Sequence, residues 1–270
     1  MSSVKFGFIG TGNMGGALAR AVVKSVGTNE VLLSDKAAVK AQLLADELKC
    51  SYADINAVAA SAKYIFLGVK PQVMESAIKS ILPILKKRDD RFVLISMAAG
   101  LKLSAIEKML GCEYPIIRIM PNTPVSAGKG MILYSANENV FMDEIAEFCD
   151  ALKKAGKLDK IDESLIDAAS AVSGCGPAFV YLFAESMADA AVECGLSRQK
   201  AVEYAAQTLS GAAELIMTSA KHPAQLKDEV CSPAGSTIAG VHALEEKGFR
   251  SAVMSAVKSS FERTKELGKQ

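Results

Sequence analysis

A glycine-rich run near the start of the chain has the residue types and spacing of a phosphate-binding loop. The run GTGNMG at 10–15 follows the apolar segment VKFGFI at 4–9 and precedes a segment of helical periodicity. In this setting the first glycine permits a tight turn, the second lets the backbone approach a pyrophosphate, and the third lets the helix pack on the strand. The phosphates then lie at a helix N-terminus, which favours anions. The run therefore predicts a dinucleotide site; the alternative is a strand–turn–helix with incidental glycines.

The end of the second predicted strand bears on which dinucleotide binds. That strand, VLLS at 31–34, is followed by Asp35 and Lys36. An acidic residue at this point usually accepts the ribose 2′-hydroxyl of NAD and repels the additional phosphate of NADP. Ser34 and Lys36 can instead contact a 2′-phosphate. The sequence leaves both NADP(H) and NAD(H) open.

A second candidate site lies in CSPAGSTIAG at 231–240, which interrupts an otherwise helical region. Apolar residues recur at helical spacing from Ile238 onwards, so Gly235, Ser236 and Thr237 are predicted at a helix N-terminus. Their backbone amides form an anion site suited to a carboxylate, and the Thr237 hydroxyl can hydrogen-bond an imine nitrogen. An ordinary Ser/Thr helix cap would satisfy the same pattern.

The two histidines are poor candidates for an acid or a base. His222 precedes a proline at a predicted helix start and His242 lies inside a predicted helix, so both are interpreted as structural. A hydroxy-acid dehydrogenase normally needs a base for the alcohol proton. A substrate with a protonated C=N bond accepts hydride without a strong acid. It needs only a site that binds its carboxylate and a hydrogen-bond partner for its nitrogen.

The elements that position these residues divide the chain into two parts. Buried strands are predicted at 4–9, 31–34, 64–69, 92–96 and 115–120, with a further strand at 130–135, and helices at 14–26, 37–48, 72–85, 103–110 and 141–155. Near-continuous apolar strands separated by helices indicate a parallel sheet covered on both faces. We therefore predict an α/β Rossmann-type dinucleotide-binding domain over 1–160.

The remainder, 161–270, is predicted to be an all-α dimerisation and substrate-binding domain. Its helices are predicted at 163–172, 177–194, 198–218, 223–230, 237–247 and 250–268. Alanine and glycine occur on several helix faces, which permits close approach of helices. We interpret this region as one that buries surface against another subunit.

Composition limits the classes of partner and location. Lys and Arg number 31 against 30 Asp and Glu, so no electrostatic footprint for nucleic acid or an anionic membrane is present. The six cysteines have no zinc-site spacing, so no metal is predicted, and their scattered positions suit a reducing cytosol. No signal peptide precedes the first strand, and glycines, Pro177 and Glu185 interrupt the apolar stretch at 168–191. We predict a soluble cytoplasmic protein.

Six motifs together resemble those of the pyrroline-5-carboxylate reductases. They are FIGTGNM (8–14), LGVKP (67–71), SMAAG (96–100), RIMPNTP (118–124), SGCGPAFVYLF (173–183) and LKDEVCSPAGSTIAGVHALE (226–245). They occur in the family's order across nearly the whole chain. The resemblance implies NAD(P)H-dependent reduction of 1-pyrroline-5-carboxylate to L-proline, the last step of proline biosynthesis. It also implies a C-terminal domain interlocked with a second subunit, in a homodimer or a higher homo-oligomer.

The resemblance also assigns site residues. It places the substrate carboxylate on the amides of Gly235, Ser236 and Thr237, with Thr237 bonding the ring nitrogen. The implied dinucleotide contacts are Ile9, Gly10, Thr11, Gly12, Asn13, Met14, Ser34, Asn56, Gly68, Val69, Lys70, Pro71, Met97, Ala98 and Ala99. Two residues depart from the family pattern: Glu229, where Asn is frequent, and Ala234, where Gly is frequent. If residue 234 requires a positive φ, the alanine is strained.

Three alternatives to these interpretations stay open. Lys70 is equally well explained as a solvated loop lysine. Another imine or 3-hydroxy-acid reductase could share the two-domain plan. A dimer that binds NADP(H) without turnover would also retain the glycine-rich loop, but it would not require hydroxyls at 236–237.

Overall fold

The six apolar runs predicted as strands all lie in one eight-stranded sheet in the computed structural model, which describes residues 4–267. The strands are β1 (Phe6–Ile9), β2 (Val31–Ser34), β3 (Ser51–Tyr52), β4 (Tyr64–Leu67), β5 (Val93–Ser96), β6 (Ile116–Pro121), β7 (Gly130–Ala136) and β8 (Gly156–Lys160). Their order is β3-β2-β1-β4-β5-β6-β7-β8. Only the β6–β7 pair is antiparallel among these neighbours. The carboxyl ends of β1 to β6 therefore meet at one edge of the sheet.

Helices cover both faces of this sheet. Successive strand residues point to opposite sides, so the apolar strands have side chains to bury on both faces. The helices that cover it are α1 (Asn13–Val26), α2 (Ala38–Leu48), α3 (Ile55–Ser61), α4 (Pro71–Leu85), α5 (Leu103–Leu110) and α6 (Met142–Leu152). The chain continues with α7 (Ile166–Ser173), α8 (Gly176–Glu193), α9 (Arg198–Thr218), α10 (Pro223–Glu229), α11 (Ser236–Glu246) and α12 (Phe249–Leu267). Phe6 and Phe8 pack in one core cluster with α1, α2 and α6. Ile9 packs in the other with α3, α4 and α5. The predicted α/β class is confirmed.

Two edge strands and one helix were not predicted. The structure adds β3, β8 and α3, and the helix expected over 141–155 ends earlier, at Leu152. Lys153 is the C-cap of this helix, and Gly156, with a φ of +143°, begins β8. A Cβ on Gly156 would lie 2.0 Å from the Gly130 carbonyl oxygen on the neighbouring strand, so only glycine fits.

The chain divides into two compact units. One comprises the chain up to Cys175 together with the segment from Ser260, and the other spans Gly176–Ser259. The first unit holds the whole sheet and both core clusters. The border predicted between 160 and 161 stays a prediction, and the two compact units divide after Cys175 instead.

The second unit buries little of its own apolar surface. The small residues Ala188, Ala201 and Ala205 form its buried cluster among the described residues. Large apolar side chains on α8 and α9 are exposed instead: Val180, Tyr181, Leu182, Val202, Tyr204, Leu215, Ile216 and Met217. An exposed apolar surface of this kind marks an interaction site.

One helical stretch of the described chain, Glu163–Glu193, is long and apolar enough to cross a membrane by length and composition. A helix that packs its apolar surface against other protein passes the same test, so the finding is weak support for a membrane span. A turn at Gly174 and Cys175 separates α7 from α8 inside this stretch.

A buried arginine fixes α7 to the sheet. Arg118 on β6 is 1% exposed and pairs with Glu163 at 3.0 Å and with Asp167 at 3.1 Å. Glu163 Oε1 also accepts a hydrogen bond from the Leu103 amide at 2.7 Å, at the start of α5. The arginine therefore joins the starts of two helices to one strand.

We expect Arg118→Met to lower the free energy of unfolding by about 3 kcal/mol, because it removes one partner of a buried ion pair and leaves two carboxylates unpaired. Urea denaturation of the purified protein measures the change. The matched control is Arg20→Met, which breaks an exposed pair with Glu47 and should cost less than about 1 kcal/mol. Equal losses in the two variants would contradict the role assigned to Arg118.

Candidate active site

The glycine-rich loop joins β1 to α1 at the carboxyl edge of the sheet. Gly10 has a φ of +99°, and a Cβ there would lie 2.5 Å from the Gly68 carbonyl oxygen. A Cβ on Gly15 would lie 2.1 Å from the Gly10 carbonyl oxygen. These contacts show why two positions of the motif exclude any side chain: the loop, the helix and the next strand end touch through backbone atoms.

Gly12 differs from the other two glycines because it faces open space. It is the N-cap of α1, and a Cβ on it would have no atom within 4 Å. The amides of Gly12, Asn13 and Met14 have no acceptor in the part of the chain that the structure describes. Free amides beside open space at a helix N-terminus fit the pyrophosphate of a dinucleotide.

Three other strand ends lie beside this loop. The Gly10 amide donates to the Ser34 carbonyl at 2.8 Å, and the Gly68 amide donates to the Ile9 carbonyl at 2.7 Å. Because β2, β1, β4 and β5 are parallel neighbours, the structure brings most of the predicted cofactor residues to one edge: Ile9, Gly10, Thr11, Gly12, Asn13, Met14, Ser34, Gly68, Val69, Lys70, Pro71, Met97, Ala98 and Ala99.

The predicted cofactor residues differ in how accessible they are. Ser34 is buried, whereas Lys70 is exposed at the N-cap of α4. Ala98 is buried and Ala99 is exposed. Asn56 lies farther out, exposed on the first turn of α3, which follows the outermost strand β3.

Asp35 has a structural role that its position in the sequence did not reveal. Its Oδ2 atom accepts from the Thr11 amide at 2.8 Å and from the Thr11 hydroxyl at 3.1 Å, and its Oδ1 atom accepts from the Ala37 amide at 3.0 Å. Burial alone would raise the pKa of Asp35, but these hydrogen bonds outweigh it and hold the pKa below its ordinary value. The carboxylate is therefore ionised at neutral pH and tied to the glycine-rich loop.

The second predicted site lies at the N-terminus of α11. Gly235 is the N-cap, and no side chain caps this helix. The amides of Ser236, Thr237 and Ile238 have no acceptor among residues 4–267, and both hydroxyl side chains are exposed. The helix-cap alternative has no support here, because the residue at the cap is a glycine.

The prediction for Gly235 is wrong in one respect. Its amide is not free, since it donates to the Ser232 carbonyl at 3.0 Å in the turn that precedes α11. The set of free amides is therefore shifted by one residue, to Ser236, Thr237 and Ile238. Such a set suits a carboxylate. Glu229, the residue at which the family often has Asn, pairs with Lys221 at 2.6 Å.

Ala234 adopts the positive φ at which an alanine is strained. Its φ is +58°, in the left-handed region, and Lys49 at the end of α2 is similar with a φ of +56°. A left-handed conformation costs a residue with a Cβ about 1–2 kcal/mol.

We expect Ala234→Gly to raise the free energy of unfolding by about 1 kcal/mol, because glycine adopts this φ without a steric cost. Differential scanning calorimetry should show a rise of about 2–4 °C in Tm. Lys49→Gly tests the same strain at a second site, and Ala239→Gly inside α11 should lower stability by about 1 kcal/mol. The explanation is wrong if Ala234→Gly and Ala239→Gly destabilise equally.

Comparison with known proteins identifies the family. The chain is 39% identical over 271 residues to the pyrroline-5-carboxylate reductase of Synechocystis, covering 99% of this chain and 100% of the relative. The Escherichia coli pyrroline-5-carboxylate reductase is 37% identical, with 98% of each chain covered. The chain belongs to the pyrroline-5-carboxylate reductase family. A family model described as pyrroline-5-carboxylate reductase dimerisation matches residues 163–267, and one described as NADP oxidoreductase, coenzyme F420-dependent, matches residues 5–100.

Solved structures of the family have the same fold. The Plasmodium falciparum pyrroline carboxylate reductase with NADP bound aligns with a TM-score of 0.87 at 34% identity, covering 99% of both chains. The 1-pyrroline-5-carboxylate reductase of Streptococcus pyogenes aligns with a TM-score of 0.86 at 30% identity, covering 97% of this chain and 98% of the other. The resemblance found in the six sequence motifs is confirmed.

Proposed function

We propose that this protein is a pyrroline-5-carboxylate reductase, which reduces 1-pyrroline-5-carboxylate to L-proline with NADPH in the last step of proline biosynthesis. The observation that carries the proposal is the 39% identity to a pyrroline-5-carboxylate reductase over 99% of this chain. Two sets of free backbone amides support it. The glycine-rich loop presents free amides beside Gly12. The N-terminus of α11 presents free amides together with the Thr237 hydroxyl, which does not cap the helix.

In the proposed reaction each group on α11 has one task. The amides of Ser236, Thr237 and Ile238 bind the substrate carboxylate, which the positive end of the helix dipole favours. The Thr237 hydroxyl holds the ring nitrogen by a hydrogen bond and so orients the C=N bond. Positioning and charge complementarity then account for catalysis.

The cofactor would be held by the loop residues at the carboxyl edge of the sheet. Bound NADPH supplies the hydride that adds to the C=N carbon. The amides at Gly12, Asn13 and Met14 would bind its pyrophosphate. The strand ends at Gly68–Pro71 and Met97–Ala99 would line the rest of the site, and Asn56 would contribute from α3. The glycine-rich motif and the common edge of the strands support these contacts.

The protein is proposed to act as a homodimer or a larger homo-oligomer. The support is the match of residues 163–267 to the dimerisation model and the exposed apolar side chains of α8 and α9. Sedimentation equilibrium should give at least twice the chain mass of 28.5 kDa. A stable monomer at working concentration would contradict the proposal. Cytoplasmic location, without nucleic-acid or membrane partners, is proposed from the balanced charge and the free cysteines.

A steady-state assay with 1-pyrroline-5-carboxylate tests the function directly. We expect NADPH oxidation with this imine, little NADPH oxidation with keto acids of similar size, and little NADP+ reduction with small 2- or 3-hydroxy acids. Turnover only with other imines or with 3-hydroxy acids would identify a different reductase of the same plan. Cofactor binding without any turnover would identify a sensing dimer.

A further inference from the structure

Asn122 is a buried polar residue that follows β6, in the motif RIMPNTP at 118–124. Its side chain makes hydrogen bonds in two directions. Nδ2 donates to the Ser173 carbonyl at 2.8 Å, and Oδ1 accepts from the Met131 amide at 2.8 Å. Ser173 is the last residue of α7, and Met131 lies in β7. One side chain therefore joins the end of β6 to a helix end and to the neighbouring strand.

Among side chains of this size, only the carboxamide can make both bonds. Aspartate lacks the donor for the Ser173 carbonyl, and leucine lacks the donor and the acceptor. Reversing the amide would set a donor against the Met131 amide and an acceptor against the Ser173 carbonyl, so one orientation alone satisfies both partners. The two bonds thus specify asparagine at 122 by chemistry as well as by size.

The backbone that follows Asn122 is fixed by packing. Asn122 is the N-cap of a short 3-10 helix, Thr123–Ala127, and its carbonyl accepts from the Val125 amide at 3.2 Å. Val125 is buried against the start of β7, where a Cβ on Gly130 would collide with the Val125 side chain. The chain that leaves β6 is therefore held by the 3-10 helix on one side and by the Asn122 carboxamide on the other.

This segment lies in the half of the sheet that would hold the nicotinamide. In a doubly wound sheet the end of the second strand serves the adenosine ribose, so the nicotinamide falls to the other half, which here is β4, β5 and β6. β6 pairs with β5 as far as Ser96, opposite Arg118, and continues past it to Pro121. β6 therefore reaches beyond the end of β5, to the edge at which the predicted cofactor residues Met97–Ala99 also lie.

We propose that Asn122 is a positioning residue for hydride transfer, which holds the RIMPNTP segment in place as a wall of the nicotinamide half of the cofactor site. The inference rests on the proposed function, because it concerns the hydride step of that reaction. Asn122 acts through the backbone that it fixes. A displacement of about 1 Å in a reacting group can cost a factor of about 10² in rate. Loss of the carboxamide should therefore slow turnover more than it weakens cofactor binding.

The test compares Asn122→Ala with Asn137→Ala. Asn137 is the matched control, because its carboxamide makes the same kind of bridge at the opposite edge of the sheet. Its Oδ1 atom accepts from the Ile116 amide at 3.0 Å, at the start of β6, and its Nδ2 atom donates to the Tyr114 carbonyl at 2.9 Å. Both variants lose one bridging carboxamide, so urea denaturation should show comparable losses of stability. A difference confined to turnover then reports the position of Asn122.

We expect Asn122→Ala to lower kcat for the imine at least about tenfold and to change the Kd of NADPH less than about threefold, with both quantities near normal in Asn137→Ala. With NADPH deuterated at both C4 positions, the isotope effect on kcat should be at least as large as in the unsubstituted protein, since the hydride step is the one that is slowed. A smaller loss of kcat, a larger change in Kd, an equal loss in the two variants or a smaller isotope effect overturns the proposal.

Two further measurements keep the proposal decisive. If Asn122→Ala fails to fold, Asn122→Ser and Asn137→Ser replace the pair, because a hydroxyl can keep one of the bonds. If the unsubstituted protein does not reduce the imine, the proposed function fails by itself, and the fluorescence lifetime of bound NADPH decides without any imine. It should shorten in Asn122→Ala, where the nicotinamide is held less firmly, and stay unchanged in Asn137→Ala. Equal lifetimes in the two variants overturn the proposal.

Discussion

Thr237→Ala should lower kcat/KM for 1-pyrroline-5-carboxylate by about 10²-fold, because losing the hydrogen bond between the Thr237 hydroxyl and the ring nitrogen in an organised site costs about 3 kcal/mol of transition-state stabilisation. The structure separates this effect from helix stability. Gly235, not Thr237, is the N-cap of α11, and no side chain caps the helix. Steady-state kinetics with NADPH at saturation measure the loss, and thermal unfolding should be nearly unchanged.

Thr237→Ser is the matched control for this prediction, since it keeps the hydroxyl and removes only the methyl group. It should retain kcat/KM within a few-fold of the unsubstituted protein. The Kd of NADPH should be unaffected in both variants, because the proposed contact is with the substrate. Near-normal turnover by Thr237→Ala would remove the proposed role in catalysis.

The central strands could be predicted from sequence because they are buried on both faces. β1, β2, β4 and β5 are all four-residue runs with every residue buried, and each is an apolar run in the sequence. The outer strands lack this signal. β3 has two exposed residues, and β8 reads GKLDK with no fully buried residue. Backbone pairing to a neighbouring strand stabilises such segments, and their own composition does not reveal it.

The helix α3 was also missed, although a signal for it was present. Asp54 is its N-cap and accepts from the Ala57 amide at 2.8 Å. An Asp before a short Ala-rich segment is typical of a helix start. The helix has only seven residues, so its apolar periodicity is too brief to stand out.

The site was predictable where the sequence itself specifies backbone geometry. Gly10 and Gly15 stand where close backbone contacts exclude a side chain, and the glycine-rich motif predicted both close approaches. The path of a loop is not encoded in this way. The engaged amide of Gly235, the hydrogen bonds that Asp35 receives and the φ of Ala234 all depend on where the neighbouring backbone runs, which residue types alone do not determine.

Gly12→Ala should raise the Kd of NADPH by about 10²-fold while leaving the free energy of unfolding unchanged. The backbone at Gly12 has a φ of −65°, which alanine adopts freely. The new methyl group meets no protein atom within 4 Å, so nothing in the fold opposes it. It would instead occupy the space in which the pyrophosphate must approach the amides of α1. Calorimetric titration with NADPH and urea denaturation measure the two quantities.

Gly15→Ala separates this loss of binding from a loss of folding. Its methyl group would lie 2.1 Å from the Gly10 carbonyl oxygen, a backbone atom that cannot rotate away. This variant should lose both stability and cofactor binding. Gly211→Ala, where a Cβ meets nothing within 4 Å in α9, should lose neither. If Gly12→Ala binds NADPH normally, the open space beside Gly12 is not the phosphate site, and the loop's glycines serve packing alone.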